Sequence, residues 1–253
     1  MRGLSFASLL LVATLGLAGA TFAGAAELTV SAAASLTNAF TEVKEAFVKK
    51  HSGITVTTNF AASNPLLRQI EGGAPVDVFA SADQGTMDKA AEKNLINETS
   101  RKNFALNDLV LIAPAKSEVA LKDVKDLSGE AVKRIAVGNP GSVPAGRYAQ
   151  AALTSAGLWD SLQPKFIMGE SVRQTLDYVS RGEVDAGIVY MTDAKQAGEN
   201  VRIVQVLSGH DPVSYPIAVI KGCKSPKEAA AFIEFVLSDE GSAILAKYGF
   251  SKP

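Results

Sequence analysis

The sequence alternates between short apolar or β-branched runs, which are typical of strands, and longer runs with the apolar spacing of amphipathic helices. The first unit has a strand-like run at residues 27–31, followed by Leu36, Phe40, Val43 and Phe47 at helical spacing. Further strand-like runs follow at residues 54–60, 76–81, 109–114, 134–138, 165–168, 185–190 and 217–220. This alternation predicts an α/β fold whose sheets are mostly parallel and flanked by helices.

Small or capping residues stand where four of these strand-like runs pass into helices. The four junctions are Ala34-Ser35, Ala62-Ser63, Pro144-Ala145 and Ser171-Val172. Ligands of open α/β sheets gather at the carboxyl ends of strands, where helix N-termini present free N–H groups. Ordinary capping explains any one junction taken alone. Four together, two in each half of the chain, favour an anion held between two lobes.

Several helix boundaries also have local signals. Asn64 is placed to cap a helix that has Pro65 in its first turn, and Ser171 with Gln174 three residues later fits a capping box. The last helix is predicted over residues 226–248, with a break near Gly241.

The first 26 residues have the pattern of a cleaved secretory signal peptide. Arg2 precedes an apolar run over residues 4–20, and Ala23-Gly24-Ala25 satisfies the small-x-small rule for cleavage. Loss of residues 1–26 removes one of the 25 basic residues and none of the 26 acidic ones, which leaves a nearly neutral chain. No basic run is present for nucleic acid or an anionic membrane. We therefore expect an exported, free protein that does not bind nucleic acid.

Few residues have the chemistry of a catalytic or metal centre. Cys223 is the single cysteine, and the two histidines, His51 and His210, lie far apart in the sequence. No Cys/His cluster has metal-ligand spacing. No G-x-S-x-G motif occurs, and neither histidine is an evident base for a nucleophilic serine. The sequence therefore predicts a protein that is not an enzyme.

Five segments resemble the molybdate-binding proteins of bacterial ABC uptake systems. They are VSAAASLTNAF, SADQGTMDKA, AVGNPGSVPAGRYA, VDAGIVY and KYGF, and the resemblance extends in the same order over the whole chain after residue 26. It implies a two-lobed periplasmic binding protein fold of type II. Each lobe would be a mostly parallel sheet flanked by helices, with the ligand in the cleft between the lobes. Lobe I would comprise residues 27–107 and 215–253, and lobe II residues 108–214.

The same resemblance implies five ligand-binding residues for a tetrahedral oxyanion. Carried over motif by motif, they are Ser35 of AAASL, Ser63 after the second strand, Ala145 of VPAG, Val172 at the start of the following helix, and Tyr190 of GIVY. Four of them lie at the junctions identified above, whereas the resemblance alone supplies Tyr190. The metal enters as its oxyanion, so we expect no direct protein–metal ligand, no cofactor and no catalytic residue.

The resemblance implies a protein that captures molybdate or tungstate in the periplasm and delivers it, as a monomer, to an inner-membrane ABC permease. The five contacts are neutral, so a smaller ion such as sulfate would leave donors unpaired. Exclusion of hydrogen phosphate is weaker, because the hydroxyls of Ser35, Ser63 and Tyr190 are able to accept its proton. The alternatives are a binding protein for another oxyanion, such as sulfate, phosphate or chromate, and an exported hydrolase. Arg147 is expected to be an exposed arginine in the first turn of its helix.

Overall fold

The computed structural model describes residues 26–253, so the predicted signal peptide at residues 1–26 lies outside the described residues, apart from Ala26. The strands are β1 (Ala26–Ala33), β2 (Ile54–Ala61), β3 (Val78–Ala80), β4 (Lys102–Asn107), β5 (Leu109–Pro114), β6 (Ile135–Gly138), β7 (Phe166–Gly169), β8 (Ala186–Tyr190), β9 (Val201–Val206) and β10 (Val213–Val219). The helices are α1 (Thr37–Lys50), α2 (Ser63–Glu71), α3 (Gln84–Glu92), α4 (Pro144–Ser155), α5 (Trp159–Leu162), α6 (Val172–Ser180), α7 (Met191–Ala197), α8 (Pro226–Leu237) and α9 (Asp239–Lys247). None of these helices has the length and apolar character needed to cross a membrane.

Two five-stranded sheets organise the described residues, with strand orders β2-β1-β3-β10-β4 and β7-β6-β8-β5-β9. We call each sheet with its flanking helices lobe I and lobe II, respectively. In both sheets the first three strands are parallel to one another, and the last two pairings are antiparallel. The predicted α/β architecture is confirmed, and four of the five strands in each sheet run in the same direction. The reversed strand is β10 in lobe I and β5 in lobe II, because each enters its sheet directly from the other sheet, without the crossover helix that makes neighbouring strands parallel.

Over residues 26–253 the chain passes between the lobes twice. A single residue, Asp108, separates β4 in lobe I from β5 in lobe II. The return runs from the end of β9 in lobe II to β10 in lobe I, which begins at Val213. The predicted boundary after residue 214 thus falls inside β10, and the exact division into lobes stays a prediction.

The apolar spacing that predicts α1 is confirmed, since Phe40, Val43 and Phe47 are all buried. The rings of Phe40 and Phe47 lie edge-on to Phe232 of α8, with centroids 6.1 and 5.2 Å apart. Burial of a large apolar side chain stabilises a fold by roughly 1.5–3 kcal/mol. These contacts anchor α1, and with it the short 3-10 turn that connects β1 to α1.

One predicted helix cap is wrong, and one predicted helix break is confirmed at a slightly earlier residue. Asn64 does not cap α2, which begins at Ser63 and has Ala62 as its N-cap residue. The C-terminal helical region is broken at Ser238, whose Oγ accepts a hydrogen bond from Gly241 N at 3.2 Å, so the glycine lies in the first turn of α9. A Cβ on Gly241 would lie 2.2 Å from a carbonyl oxygen of α8. The glycine therefore permits the close packing of the two helices, while the serine ends the first and caps the second.

Sequence patterns missed two strands, β4 and β9. Each lies at the edge of its sheet and pairs antiparallel with one neighbour. Their sequences, KNFALN and VRIVQV, mix polar and apolar residues because one face of an edge strand remains accessible to water.

Candidate anion-binding site

The five predicted ligand-binding residues line one cavity between the lobes. Lobe I contributes Ser35, in the 3-10 turn before α1, and Ser63, the first residue of α2. Lobe II contributes Ala145 in the first turn of α4, Val172 at the start of α6, and Tyr190 at the end of β8. The structure thus brings all five together, including the tyrosine that no local pattern indicated. Their contact with a ligand stays a prediction.

Helix N-termini form much of the cavity wall. The first-turn amides of a helix have no intrahelical acceptor, and α2 and α4 also lack a capping side chain. In α6, Ser171 is the N-cap residue as predicted, with its Oγ accepting from Gln174 N at 3.2 Å. The capping box is incomplete, because Gln174 Oε1 accepts from Glu170 N at 2.6 Å instead. Free amides and the partial positive charge at helix N-termini favour an anion.

Hydroxyl groups supply further donors. Ser63 is fully buried, and its Oγ accepts from Ala82 N at 3.0 Å. Across the cleft, Tyr190 Oη donates to Ala82 O at 3.4 Å, which is a long contact. Burial, first of all, raises the pKa of Tyr190 well above its ordinary value, and the nearby Tyr215 adds to this effect. Tyr190 therefore keeps its hydrogen and is able to donate it.

The cavity suits a small, compact ion. Its volume is about 10 Å³ for the centre of a water-sized sphere, far less than the roughly 300–1,000 Å³ of sites for drug-sized ligands. None of the eleven described residues that line it carries a charge; the others are Ala33, Ala34, Ala62, Ala82, Val143 and Pro144. Over residues 26–253, no three His, Cys, Asp or Glu side chains are grouped so that they could hold a metal ion. Two wider surface grooves, around Asn94 and Lys221 in lobe I, contain none of the five predicted residues.

Arg147 does not point into solvent, contrary to the expectation from sequence. Its Nε donates to Asp83 Oδ2 at 2.9 Å, and its Nη2 donates to Thr86 Oγ1, also at 2.9 Å. Both partners belong to lobe I, so this arginine of α4 joins the two lobes beside the cavity. A neighbouring hydrogen bond also joins the lobes, in the opposite direction: Asn64 Nδ2 of lobe I donates to Gly141 O of lobe II at 3.0 Å. The partners lie far apart in sequence, and for this reason no local pattern revealed the contact.

Arg173, on the other side of the cavity, also reaches lobe I. Its Nη1 donates to Asn38 Oδ1 at 2.8 Å and its Nη2 to Ser35 O at 3.3 Å. Within lobe II its Nε lies 2.6 Å from Asp193 Oδ1, and the aspartate is fully buried. Burial raises the pKa of Asp193 to about 6, against the opposing effect of the Arg173 charge.

Two polar residues behind the cavity carry no signal in the sequence. Tyr215 of β10 is fully buried, and its Oη lies 3.0 Å from Ser35 Oγ. Asn107, the last residue of β4, donates to the same Oη at 3.1 Å. An apolar strand containing one tyrosine gives no hint of such a role, because only the fold brings Tyr215 next to a residue 180 positions away.

The histidines occupy structural positions away from the cavity. His51 stacks on Phe47, with ring centroids 4.3 Å apart. His210 lies within hydrogen-bond distance of the carbonyl oxygens of Asp211 and Leu207. Neither is among the described residues that line the cavity. The site as built is suited to holding an anion through amides and hydroxyls.

Two lobes with this strand order, enclosing a small neutral cavity rich in helix N-termini, define a solute-binding protein of the kind that works outside the cytoplasmic membrane. Residues 28–251 match the bacterial extracellular solute-binding protein family, and the chain belongs to it. The molybdate-binding protein ModA of Haemophilus influenzae is 40% identical over 249 residues, which cover 96% of this chain and 95% of that protein.

Other relatives are molybdate-binding proteins as well. The molybdate-binding protein ModA of Escherichia coli is 41% identical over 244 residues, covering 92% of each chain. Among solved structures, the periplasmic molybdate-binding protein of Azotobacter vinelandii matches with a TM-score of 0.80 and 26% identity, over 89% of this chain and 99% of that one. The resemblance noted in the sequence and the periplasmic binding protein fold are confirmed. The family and these relatives are substrate-binding proteins of transport systems.

Proposed function

We propose that this protein captures molybdate and tungstate in the periplasm and delivers them to an ABC permease in the inner membrane. Ser35, Ser63, Ala145, Val172 and Tyr190 would hold the oxyanion through hydroxyls and backbone amides. The signal peptide over residues 1–26 would direct export, and the mature protein would act as a monomer without a cofactor.

The observation that carries this proposal is the composition of the cavity. Helix N-termini and buried hydroxyls converge from both lobes on one small cavity, and none of the described residues that line it is charged. A dianion held in this way is stabilised by dipoles whose direction the fold fixes, so little reorganisation is needed on binding. The molybdate-binding relatives support the choice of ligand.

Neutral donors at fixed positions make ion size the main filter. Molybdate and tungstate have nearly equal metal–oxygen bonds, and both are longer than the sulfur–oxygen bonds of sulfate. Sulfate would leave some donors of the cavity unpaired, at about 1–3 kcal/mol for each buried group. We therefore expect the protein to discriminate against sulfate by ion size, without the help of a charged residue.

Because the contacts come from both lobes, anion binding is also coupled to closure of the lobes. An anion that bonds to Ser63 of lobe I and Ala145 of lobe II stabilises the closed arrangement over an open one. The closed surface would then be what the permease recognises. Small-angle scattering tests this step, since saturating molybdate should reduce the radius of gyration of the apo protein.

Calorimetric titration of the apo protein with molybdate, tungstate, sulfate and phosphate tests the proposal. Molybdate and tungstate should bind at least about a hundredfold more tightly than sulfate, equivalent to roughly 2.7 kcal/mol. Ser63→Ala should weaken molybdate binding, whereas the matched control Ser180→Ala, whose hydroxyl bonds Leu176 O within α6, should not. Sulfate affinity comparable to that of molybdate would contradict the proposal.

A further inference from the structure

The hydroxyl of Ser35 has a hydrogen-bond partner whose direction the rest of the fold determines. Ser35 Oγ and Tyr215 Oη lie 3.0 Å apart, and both residues are buried. At this distance either hydroxyl is able to donate to the other. The direction matters, because it decides whether Ser35 keeps a hydrogen to present to the cavity or offers only lone pairs.

Asn107 provides the fixed end of this chain of hydrogen bonds. Asp108 N lies 3.0 Å from Asn107 Oδ1, and because a backbone N–H only donates, the amide oxygen must face it. The amide nitrogen therefore faces the other way, 3.1 Å from Tyr215 Oη and 2.9 Å from Thr192 Oγ1. Both of its hydrogens have an acceptor, so Tyr215 Oη accepts from Asn107.

Tyr215 then has a single hydrogen left to donate. Burial raises the pKa of Tyr215 well above its ordinary value, so the phenol keeps that hydrogen. Among the described residues its hydroxyl has hydrogen-bond contacts only with Asn107 and Ser35. Asn107 only donates, so Ser35 Oγ must accept from Tyr215, since an unpaired buried donor is costly.

Both serines of the cavity are consequently set as donors. Ser35 Oγ accepts from Tyr215, and Ser63 Oγ accepts from the backbone N–H of Ala82 at 3.0 Å. In each case the serine's own hydrogen remains free to turn towards the cavity. Each hydroxyl therefore has its hydrogen available for a ligand, and only one of its two lone pairs is left to accept from a ligand.

We propose that Tyr215 and Asn107 are positioning residues that hold the Ser35 hydroxyl as a donor and so select against oxyanions that carry a proton. Hydrogen phosphate would bring its O–H against the hydrogen of Ser35, whereas molybdate and sulfate present only acceptors. This inference rests on the proposed function, because it concerns the same cavity. The cavity would then select oxyanions by their protonation state as well as by their size.

Asn107→Asp tests the direction of the chain, because a carboxylate accepts where the amide donated. Tyr215 should then donate to Asp at position 107, and Ser35 should donate to Tyr215 and present a lone pair to the ligand. The added charge weakens all dianions alike, so the informative quantity is a ratio of affinities at about pH 8, where phosphate is mainly hydrogen phosphate. The ratio of molybdate to hydrogen phosphate affinity should fall about fivefold to tenfold.

Tyr215→Phe is the second variant. It keeps the ring in the core but removes the hydroxyl that donates to Ser35, so the Ser35 hydroxyl is no longer held in one direction. It should lower the same ratio by a smaller factor, roughly threefold. Tyr148→Phe is the matched control: it removes a phenol hydroxyl from the same aromatic cluster, 6.4 Å from the Tyr190 ring, without touching Ser35. Its ratio should equal that of the wild type.

The outcomes separate this inference from the proposed function. If the wild type binds sulfate and not molybdate, the proposed function fails. The inference is then tested with the ratio of sulfate affinity to hydrogen phosphate affinity, because sulfate is also an unprotonated dianion. An unchanged ratio in both Asn107→Asp and Tyr215→Phe overturns the inference. So does a wild type that binds hydrogen phosphate as tightly as sulfate. A wild type that binds none of these anions overturns both.

Discussion

Arg147 of lobe II and Asp83 of lobe I form an ion pair across the cleft, with Arg147 Nε 2.9 Å from Asp83 Oδ2. Asp83 is also the N-cap residue of α3, where its Oδ1 accepts from Thr86 N at 3.1 Å. The arginine side chain is 29% exposed and the aspartate 7%. The pair therefore ties the N-terminal end of α4, which lines the cavity, to the N-terminal end of α3. It stabilises the closed arrangement without itself lining the site.

Loss of this pair should weaken anion binding by favouring the open arrangement. An arginine in solvent would contribute only a few tenths of a kcal/mol. A pair that is largely desolvated contributes more, and after allowance for the exposed part of Arg147 we expect a coupling of about 1–2 kcal/mol. A double-mutant cycle of Arg147→Ala and Asp83→Ala, read out as molybdate affinity by calorimetry, measures that coupling.

Arg101→Ala is the matched control for this cycle. Arg101 is 25% exposed and pairs with Asp88, but both residues belong to lobe I. Its loss should leave molybdate affinity unchanged. Additive effects of Arg147→Ala and Asp83→Ala would show that the pair does not act as a unit in closure.

Tyr190→Phe should weaken molybdate binding through a neutral hydrogen bond. The substitution removes one buried donor and keeps the ring, so one ligand oxygen would lose its partner. We expect a loss of about 1–3 kcal/mol, a factor of roughly 5 to 150 in affinity. The loss should be the same at low and high ionic strength, because a hydroxyl dipole in a closed cavity is little screened by salt.

Titration of Tyr190→Phe at two salt concentrations, beside Tyr148→Phe, checks this prediction. Tyr148→Phe should retain wild-type affinity. If Tyr190→Phe binds as tightly as the wild type, Tyr190 is not a ligand-binding residue.

Local chemistry explains why part of the site was predictable from sequence. Free amides at a helix start depend only on the residues of that turn, so the sequence alone indicates the junctions at Ser35, Ser63, Ala145 and Val172. A tyrosine at the end of a strand has no such local mark, and only the resemblance to a known family indicated Tyr190.

Contacts between lobes were not predictable, because they depend on how the lobes meet. Asp83 and Arg147 lie 64 positions apart, and the sequence around the arginine predicted a side chain in solvent. Similarly, the alternation of strands and helices indicated the α/β fold but not the one reversed strand of each sheet. Those strands are β5 and β10, with which the chain enters the other lobe.

Gly146→Ala should displace the first turn of α4. A Cβ on Gly146 would lie 2.1 Å from the carbonyl oxygen of Gly138, the last residue of β6. Because the clash is with backbone, the helix must move, which shifts the amide of Ala145 next to it. We expect a loss of at least about 2 kcal/mol in the free energy of unfolding, together with weaker molybdate binding.

Chemical denaturation and calorimetry of Gly146→Ala check both effects. Gly53→Ala is the control, because no atom lies within 4 Å of a Cβ at that position. It should be close to neutral in both measurements. A Gly146→Ala protein with wild-type stability and affinity would mean that α4 accommodates the methyl group without moving.

The ionisation of Asp193 should make stability depend on pH in an unusual direction for an aspartate. Burial raises its pKa from 3.8 to about 6, although the Arg173 charge opposes this rise. The native state therefore holds the proton more tightly than the unfolded state does. The resulting stabilisation is fully present below about pH 4 and is lost as the pH rises through about 6.

Comparison of the wild type with Asp193→Asn isolates this contribution, because the amide does not titrate. Between about pH 5 and pH 7.5, the free energy of unfolding of the wild type relative to the variant should fall by about 1 kcal/mol. Urea denaturation at both pH values measures it, with Asp177→Asn, an exposed aspartate of α6, as the control that should follow the wild type. The prediction is decided by the direction in which this relative stability changes with pH. If the relative stability of the wild type rises with pH instead, the ion pair with Arg173 outweighs the cost of burial, and Asp193 remains charged in the native protein well below pH 6.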